Sequence, residues 1–193
     1  MLLLNGDDIE QAVEKTALIE QMELAMHMAE SGETVMPPRS YVTRNDNSLG
    51  LMPCFGKEGL CTKLVTTFPT NQGGPHPVIN GLVVLNDSKN GEPLAVLNGQ
   101  VLTALRTSAV GAVGVKHLSP VEPQALGLEG AGVQGFEQVR FAAAVRPPTD
   151  VYVFDRDTQK MDDFVQCLTP HLPGVKVWAA KTVEDTCWRL AGP

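Results

Sequence analysis

Gly130, Gly132 and Gly135 stand in the spacing Gly-x-Gly-x-x-Gly, and Asp155 follows roughly 25 residues after the first of them. Glycines so spaced allow a backbone to turn sharply and approach a phosphate closely, provided a strand leads in and a helix leads out. Both conditions are met. Ala125–Leu128 is short and apolar, and a helical pattern runs from the turn to about Val145. The helix start offers unpaired N–H groups to an anion. Gly132 allows the close approach, and Asp155, ending the next predicted strand, is placed to accept a ribose 2′-hydroxyl near the usual spacing of ~20 residues. A carboxylate there repels a 2′-phosphate, which favours NAD over NADP, and Arg156 beside it offsets part of that preference. Glu129, just before the first glycine, would be costly if buried without a partner.

A second group is cationic. Arg39 follows Pro37-Pro38, Lys63 interrupts the apolar stretch Leu60–Phe68, and Arg106 falls in the first turn of a small-residue helix predicted over Leu102–Leu118. A cation in a first helical turn opposes the helix dipole. Three cations in apolar settings want an anionic partner. The chemistry this implies is a carboxylate site, where Arg binds bidentately and Lys adds a point charge.

The elements that must hold these groups follow from periodicity. Residues 7–31 read as one amphipathic helix on Ile9, Val13, Ala17, Met22, Met26 and Ala29, stopped by Gly32. Pro37-Pro38 forbids helix. Strands are expected at Arg39–Arg44, Ser48–Met52, Leu60–Phe68, Ile79–Leu85 and Leu94–Leu97, with short connections such as Asn45-Asp46-Asn47, so an antiparallel arrangement is expected. The helix from Leu102 follows, capped by Thr103. Residues 120–124, Pro120-Val121-Glu122-Pro123-Gln124, read as a linker. Beyond it the pattern alternates strand, helix, strand (Val151–Phe154), helix (158–168), strand (Val175–Ala179) and a last helix from Thr182 to Leu190, as in a parallel doubly wound sheet. The fold class is therefore α/β: an α+β domain over residues 1–119, then an incomplete doubly wound nucleotide domain over residues 125–193.

Composition narrows the partners. The 15 Lys+Arg against 22 Asp+Glu give a net charge of −7, which argues against general binding to nucleic acid or to an anionic membrane surface. No apolar run reaches the ~18 residues of a membrane span. Cys54, Cys61, Cys167 and Cys187 have neither CxxC spacing nor a nearby His pair, so they read as four ordinary thiols of a reducing cytoplasm, with no metal site.

Four segments together resemble the ornithine cyclodeaminase/mu-crystallin family: Thr62-Lys63-Leu64, Gly91-Glu92-Pro93-Leu94-Ala95, Leu102-Thr103-Ala104-Leu105-Arg106-Thr107-Ser108-Ala109, and Gly130-Ala131-Gly132-Val133-Gln134-Gly135. The resemblance runs from about residue 30 to the end. It implies a substrate-binding and dimerisation domain followed by a Rossmann domain for NAD, with NADP as the alternative. By that likeness Arg39, Lys63 and Arg106 match positions that hold the substrate carboxylate, and Arg106, with Thr107 next to it in the same segment, lies near the nicotinamide side. Val133 and Gln134 match the turn on the pyrophosphate, and Asp155 the ribose acid. The implied reaction oxidises the Cα–N bond of an amino acid, as in conversion of ornithine to proline and ammonia. The same frame serves imino-acid reductases, alanine dehydrogenases, opine-type dehydrogenases and non-catalytic mu-crystallin-like binding proteins. The implied partners are a small amino or imino acid and a second copy of the chain.

The sequence departs from the family pattern near Pro77, where a hydroxyl residue and Gln are common and this chain has Val78 and Asn80. Residues 125–193 also suffice for only about half of a nucleotide domain. The acid/base aspartate of the cyclodeaminases is therefore expected beyond residue 193, and the chain is expected to be a truncated member, with activity of its own in doubt.

Overall fold

The computed structural model describes residues 1–57 and 59–188. Contacts divide the chain into two compact units. The first holds Met1–Val13 and Glu23–Thr103; the second holds Glu14–Met22 and the chain from Ala104 onward.

The first unit is built on a six-stranded sheet of β1 (Leu2–Leu4), β2 (Ser40–Arg44), β3 (Asn47–Phe55), β4 (Leu60–Thr67), β5 (Ile79–Asn86) and β6 (Pro93–Asn98), in the order β1-β6-β5-β4-β3-β2. The pairs from β2 through β6 are antiparallel, as expected from their short connections. The β2–β3 turn places Asn45 and Asp46 at φ 48° and 65°. Asn and Asp tolerate this left-handed conformation, and such a turn matches the twist of a two-residue hairpin. Strand β1 was not anticipated. It pairs parallel to β6, a non-local contact that three leucines do not announce.

The single helix expected over residues 7–31 is two helices, α1 (Gly6–Ala12) and α2 (Lys15–Glu30). Val13 adopts an extended backbone at ψ 117°. The Glu14 carboxylate then accepts hydrogen bonds from the Thr16 and Ala17 N–H groups, 3.0 and 2.6 Å away, and so caps a new helix. Those bonds, Ala17 first, hold the Glu14 carboxyl below its ordinary value. Glu14 is thus the residue that divides the expected helix in two. At the other end Gly32, at φ +78°, stops α2 as expected. The Glu33 N–H reaches back to the Met28 carbonyl in the manner of a Schellman cap.

Helix α3 (Gly99–Leu118) begins three residues before the expected start. Its cap is Asn98, whose side-chain oxygen accepts from the N–H groups of Gln100 and Val101, both at 3.0 Å. Thr103 is therefore not the cap. Arg106 lies past the first turn, so the dipole argument made for it does not apply. Gly99 sets where the helix can start, because a Cβ there would lie 2.6 Å from the Gly81 carbonyl carbon on β5.

The second unit carries a parallel sheet, β7 (Ala125–Glu129), β8 (Asp150–Phe154) and β9 (Lys176–Ala179), with α4 (Val133–Val145) and α5 (Thr158–Leu168) in the two crossovers. Val151 and Val153 on β8 are fully buried against Val139 of α4 and Met161, Phe164 and Leu168 of α5. Each such side chain contributes roughly 1.5–3 kcal/mol on leaving water. A last helix, α6 (Val183–Trp188), follows β9. The end of its predicted span, residues 189 and 190, lies outside the described residues. Among the described residues no helix is long and apolar enough to cross a membrane. Nor does any group of three or more His, Cys, Asp or Glu there suit a metal ion.

Candidate functional site

The glycine turn joins β7 to α4, as the spacing required. Gly130 adopts φ +100°, a conformation that glycine alone takes freely. Gly132 stands at the helix start with no side-chain cap, so the first N–H groups of α4 are left for an outside acceptor. A Cβ on Gly132 would meet nothing within 4 Å, so the backbone there faces open space. Gly135 has the opposite surroundings, since a Cβ would run into the Gly130 carbonyl oxygen and Leu128. The three glycines therefore do three different things: turn the chain, open it to a ligand, and let helix pack on strand. Val133 and Gln134 begin α4 and are exposed, with Val133 at 75 %.

Asp155 ends β8 beside this turn. One carboxylate oxygen accepts from the Asp157 N–H at 3.0 Å; the other accepts from the Ala131 N–H at 2.8 Å and from Lys160 Nζ at 3.3 Å. The acid is thus tied to the glycine loop itself. The Asp157 and Ala131 bonds lower its pKa from 3.8 to about 2, so it is charged throughout the physiological range. A carboxylate has about four lone-pair sites, which leaves room for a further hydroxyl donor. Lys160, on α5, escaped the sequence reading because nothing in its spacing ties it to Asp155. Arg156 is exposed in the loop that follows. Glu129 is exposed at the strand end, so the burial cost that made it puzzling does not arise.

The depressed Asp155 pKa has a consequence for stability. The folded acid stays charged down to about pH 2, whereas an unfolded aspartate protonates near 3.8. The stabilisation it gives is complete above about pH 4 and disappears as pH falls from there toward 2. In urea titrations the wild type should therefore exceed Asp155→Asn by a margin that is constant near neutrality and shrinks across that window. A margin independent of pH would show that the carboxylate charge does not hold the loop.

Lys63 lies midway along β4, half-buried, on the same sheet face as buried Val83. Its ammonium reaches Thr103 Oγ1 of α3 at 3.5 Å. Thr103, expected as a cap, instead takes a bond from the lysine. Arg39 is exposed, one residue before β2. The β2–β3 ladder begins with Ser40 opposite Leu51, one residue after Arg39, and Lys63 pairs with Met52 on β3. Arg106 and Thr107 lie on the part of α3 that belongs to the second unit. Gln138 of α4 donates to the Thr107 carbonyl at 3.3 Å, while the Thr107 hydroxyl is buried without a protein partner. Asn80, one of the departures near Pro77, donates to the Pro77 carbonyl at 3.4 Å.

A strand–Gly-x-Gly-x-x-Gly–helix turn tied to an aspartate, in a chain that also carries a lysine on a covered sheet face, is matched over residues 1–189 by the model of the ornithine cyclodeaminase/mu-crystallin family. The chain belongs to that family. A Δ1-pyrroline-2-carboxylate reductase of Bacillus cereus is 32% identical over 170 residues, which are 86% of this chain and 52% of that protein. The solved structure of the Thermococcus litoralis Δ1-pyrroline-2-carboxylate reductase in complex with NADH and L-proline is 28% identical. It superposes with a TM-score of 0.89 over 96% of this chain and 58% of that one. An archaeal alanine dehydrogenase dimer with bound NAD is 25% identical with a TM-score of 0.88, over 96% and 57% of the two chains. The chain thus spans about half the length of the curated relatives it matches. As a family member it has the mixed α/β fold with a parallel sheet that the sequence led one to expect.

Proposed function

We propose that this family member is an NAD(H)-dependent oxidoreductase of the carbon–nitrogen bond next to a carboxylate, and that its substrate is a cyclic imino acid of the Δ1-pyrroline-2-carboxylate type. The observation that carries this reading is the glycine turn with Gly132 open and Asp155 charged beside it. The names of two of its relatives, both Δ1-pyrroline-2-carboxylate reductases, support that substrate class. The bound dinucleotide supplies the hydride in such a reaction. The N–H groups opening α4, with Val133 and Gln134, take the pyrophosphate; Asp155 takes the ribose hydroxyl and, being charged, prefers NAD to NADP; Arg156 and Thr107 bear on the same ligand. Arg39 and Lys63 hold the substrate carboxylate, and Arg106 shares that role on the strength of its motif. Residues 1–119 serve the substrate, apart from the contribution of Thr107 to the nucleotide, and residues 125–193 serve the nucleotide. The reaction would draw on the cytoplasmic NAD(H) pool.

The test follows NADH absorbance with Δ1-pyrroline-2-carboxylate, and NAD+ reduction with L-alanine and L-proline. Consumption of NADH with the cyclic imino acid is expected. NADH binding without consumption by any imino acid would end the reductase reading. Ornithine cyclodeamination, which the family name carries, is the second reading. Release of ammonia and proline from L-ornithine in the presence of NAD+ would favour it instead.

We further propose that the first unit pairs with a second copy. The sheet face opposite Lys63 carries Leu51, Leu64 and Leu82 side by side in one rung, and Leu82 is 49 % exposed. On the same face Val42 is 62 % and Leu3 73 % exposed. An apolar face of this kind marks an interaction surface. Leu82→Glu should convert a dimer into a monomer in sedimentation velocity; a wild type that is monomeric at micromolar concentrations would refute the pairing.

A further inference from the structure

Sequence spacing separates the cysteines into unrelated thiols, but strand register brings two of them together. Cys54 on β3 pairs directly with Cys61 on β4. Directly opposed residues of an antiparallel pair project from the same face. Backbone polarity fixes which kind of pair this is. Phe55 exchanges both its backbone hydrogen bonds with Val35 (2.9 and 2.8 Å), on the side away from β4. Successive residues point their N–H and C=O groups to opposite sides, so Cys54 directs its own toward Cys61. The next opposed pair agrees, since the Gly56 N–H donates to the Gly59 carbonyl at 2.9 Å. Opposed residues of this kind have Cα atoms about 5.5 Å apart, inside the range of about 4.4–6.8 Å that a disulfide spans.

We propose that Cys54 and Cys61 form a dithiol modification site, which a small disulfide oxidant closes into a cross-strand disulfide and a small thiol reopens. Both cysteines are half-buried and both are free, so a small reagent has access while the sheet holds the partners in place. Burial, followed by the nearness of Cys54, pushes the Cys61 thiol above its ordinary value. Either thiol can open the exchange, and both routes end in the same disulfide. When Cys54 opens it, its thiolate forms a bond to one sulfur of the oxidant and expels a small thiolate. Cys61 then gives up its proton, attacks Cys54 Sγ in the mixed disulfide and expels the second small thiolate. Two protein thiols are oxidised by two electrons, and one small disulfide is reduced to two small thiols. The site lies two residues from Lys63 on the same face of β4, yet it does not depend on the function proposed for that lysine.

The test uses the intact chain in glutathione redox buffers, acid-quenched and digested with trypsin without reductant. Cleavage after Lys57 and Lys63 puts Cys54 and Cys61 on different peptides, so their link is read directly by mass. The linked pair should appear, separate on dithiothreitol treatment, and persist in Cys167→Ser. Cys54→Ser should abolish it. Because the folded sheet holds the thiols in register, the linked form should be favoured about tenfold more in the folded chain than in the same chain in urea, a difference of about 1.4 kcal/mol. Separate glutathione adducts on each cysteine, a link to Cys167, or an equal or smaller preference in the folded chain would overturn the proposal.

Discussion

Gly135→Ala should lower the thermal midpoint by about 2–8 °C and abolish the proposed NADH binding. The added methyl group meets the Gly130 carbonyl oxygen, which is backbone, and Leu128 Cδ2 at 3.1 Å. A leucine tip can swing aside, but a carbonyl in a turn at φ +100° cannot. Overpacking of this kind costs about 1–3 kcal/mol. Alanine recovers up to ~1 kcal/mol as the better helix former. The net loss is about 1–2 kcal/mol, or about 2–8 °C for a chain of this size. Relief requires α4 to move off β7, and the N–H groups that would hold the pyrophosphate move with it. Gly132→Ala is the matched control. Its methyl group meets nothing and its φ of −110° suits alanine, so stability should hold while NADH affinity falls at least tenfold, because the methyl group takes the space a phosphate would occupy. Calorimetry and fluorescence titration of the two variants separate these effects. Equal behaviour of the two would contradict the division of labour among the glycines.

On the proposed function, Lys63→Ala should cut kcat/KM for the imino acid by a factor on the order of 10²–10³ and leave NADH affinity unchanged. Truncating one partner of a desolvated charge pair typically costs about 2–5 kcal/mol, because the other charge is left unpaired. Lys63 is half-buried on a covered face, so water replaces it poorly. Its position in the first unit, away in sequence from the glycine turn, is why the nucleotide should not respond. Thr103→Val removes only the neutral oxygen at 3.5 Å, and a bond of that kind is worth about 0.5–1.5 kcal/mol, so a several-fold loss is expected. Steady-state kinetics at saturating NADH provide the measurement. A Lys63→Ala enzyme with wild-type kcat/KM would remove the lysine from the carboxylate site.

Where the sequence misled, the cause was local competition or a long-range contact. Glu14 had the composition of a helical residue, but its carboxylate found two backbone N–H groups ahead of it and began a new helix. Thr103 had the composition of a cap, but Asn98, five residues earlier, captured the first N–H groups. β1 was invisible because its partner β6 is some ninety residues away. Cys54 and Cys61 have no recognisable spacing, and only the register of β3 on β4 makes them neighbours.

The sequence by itself determined the order of the elements from β2 onward, the parallel second sheet, the glycine turn with its acid, and membership of the family. Each of these is written in short-range patterns: periodicity, turn residues, and motifs whose spacing is their geometry. Tertiary structure alone decided what each side chain is bonded to. It tied Asp155 to the loop it serves, gave Lys63 its threonine, left Leu82 uncovered and set two thiols opposite each other. Such contacts join residues far apart along the chain, and their formation depends on sheet register and helix placement, which the whole fold fixes together.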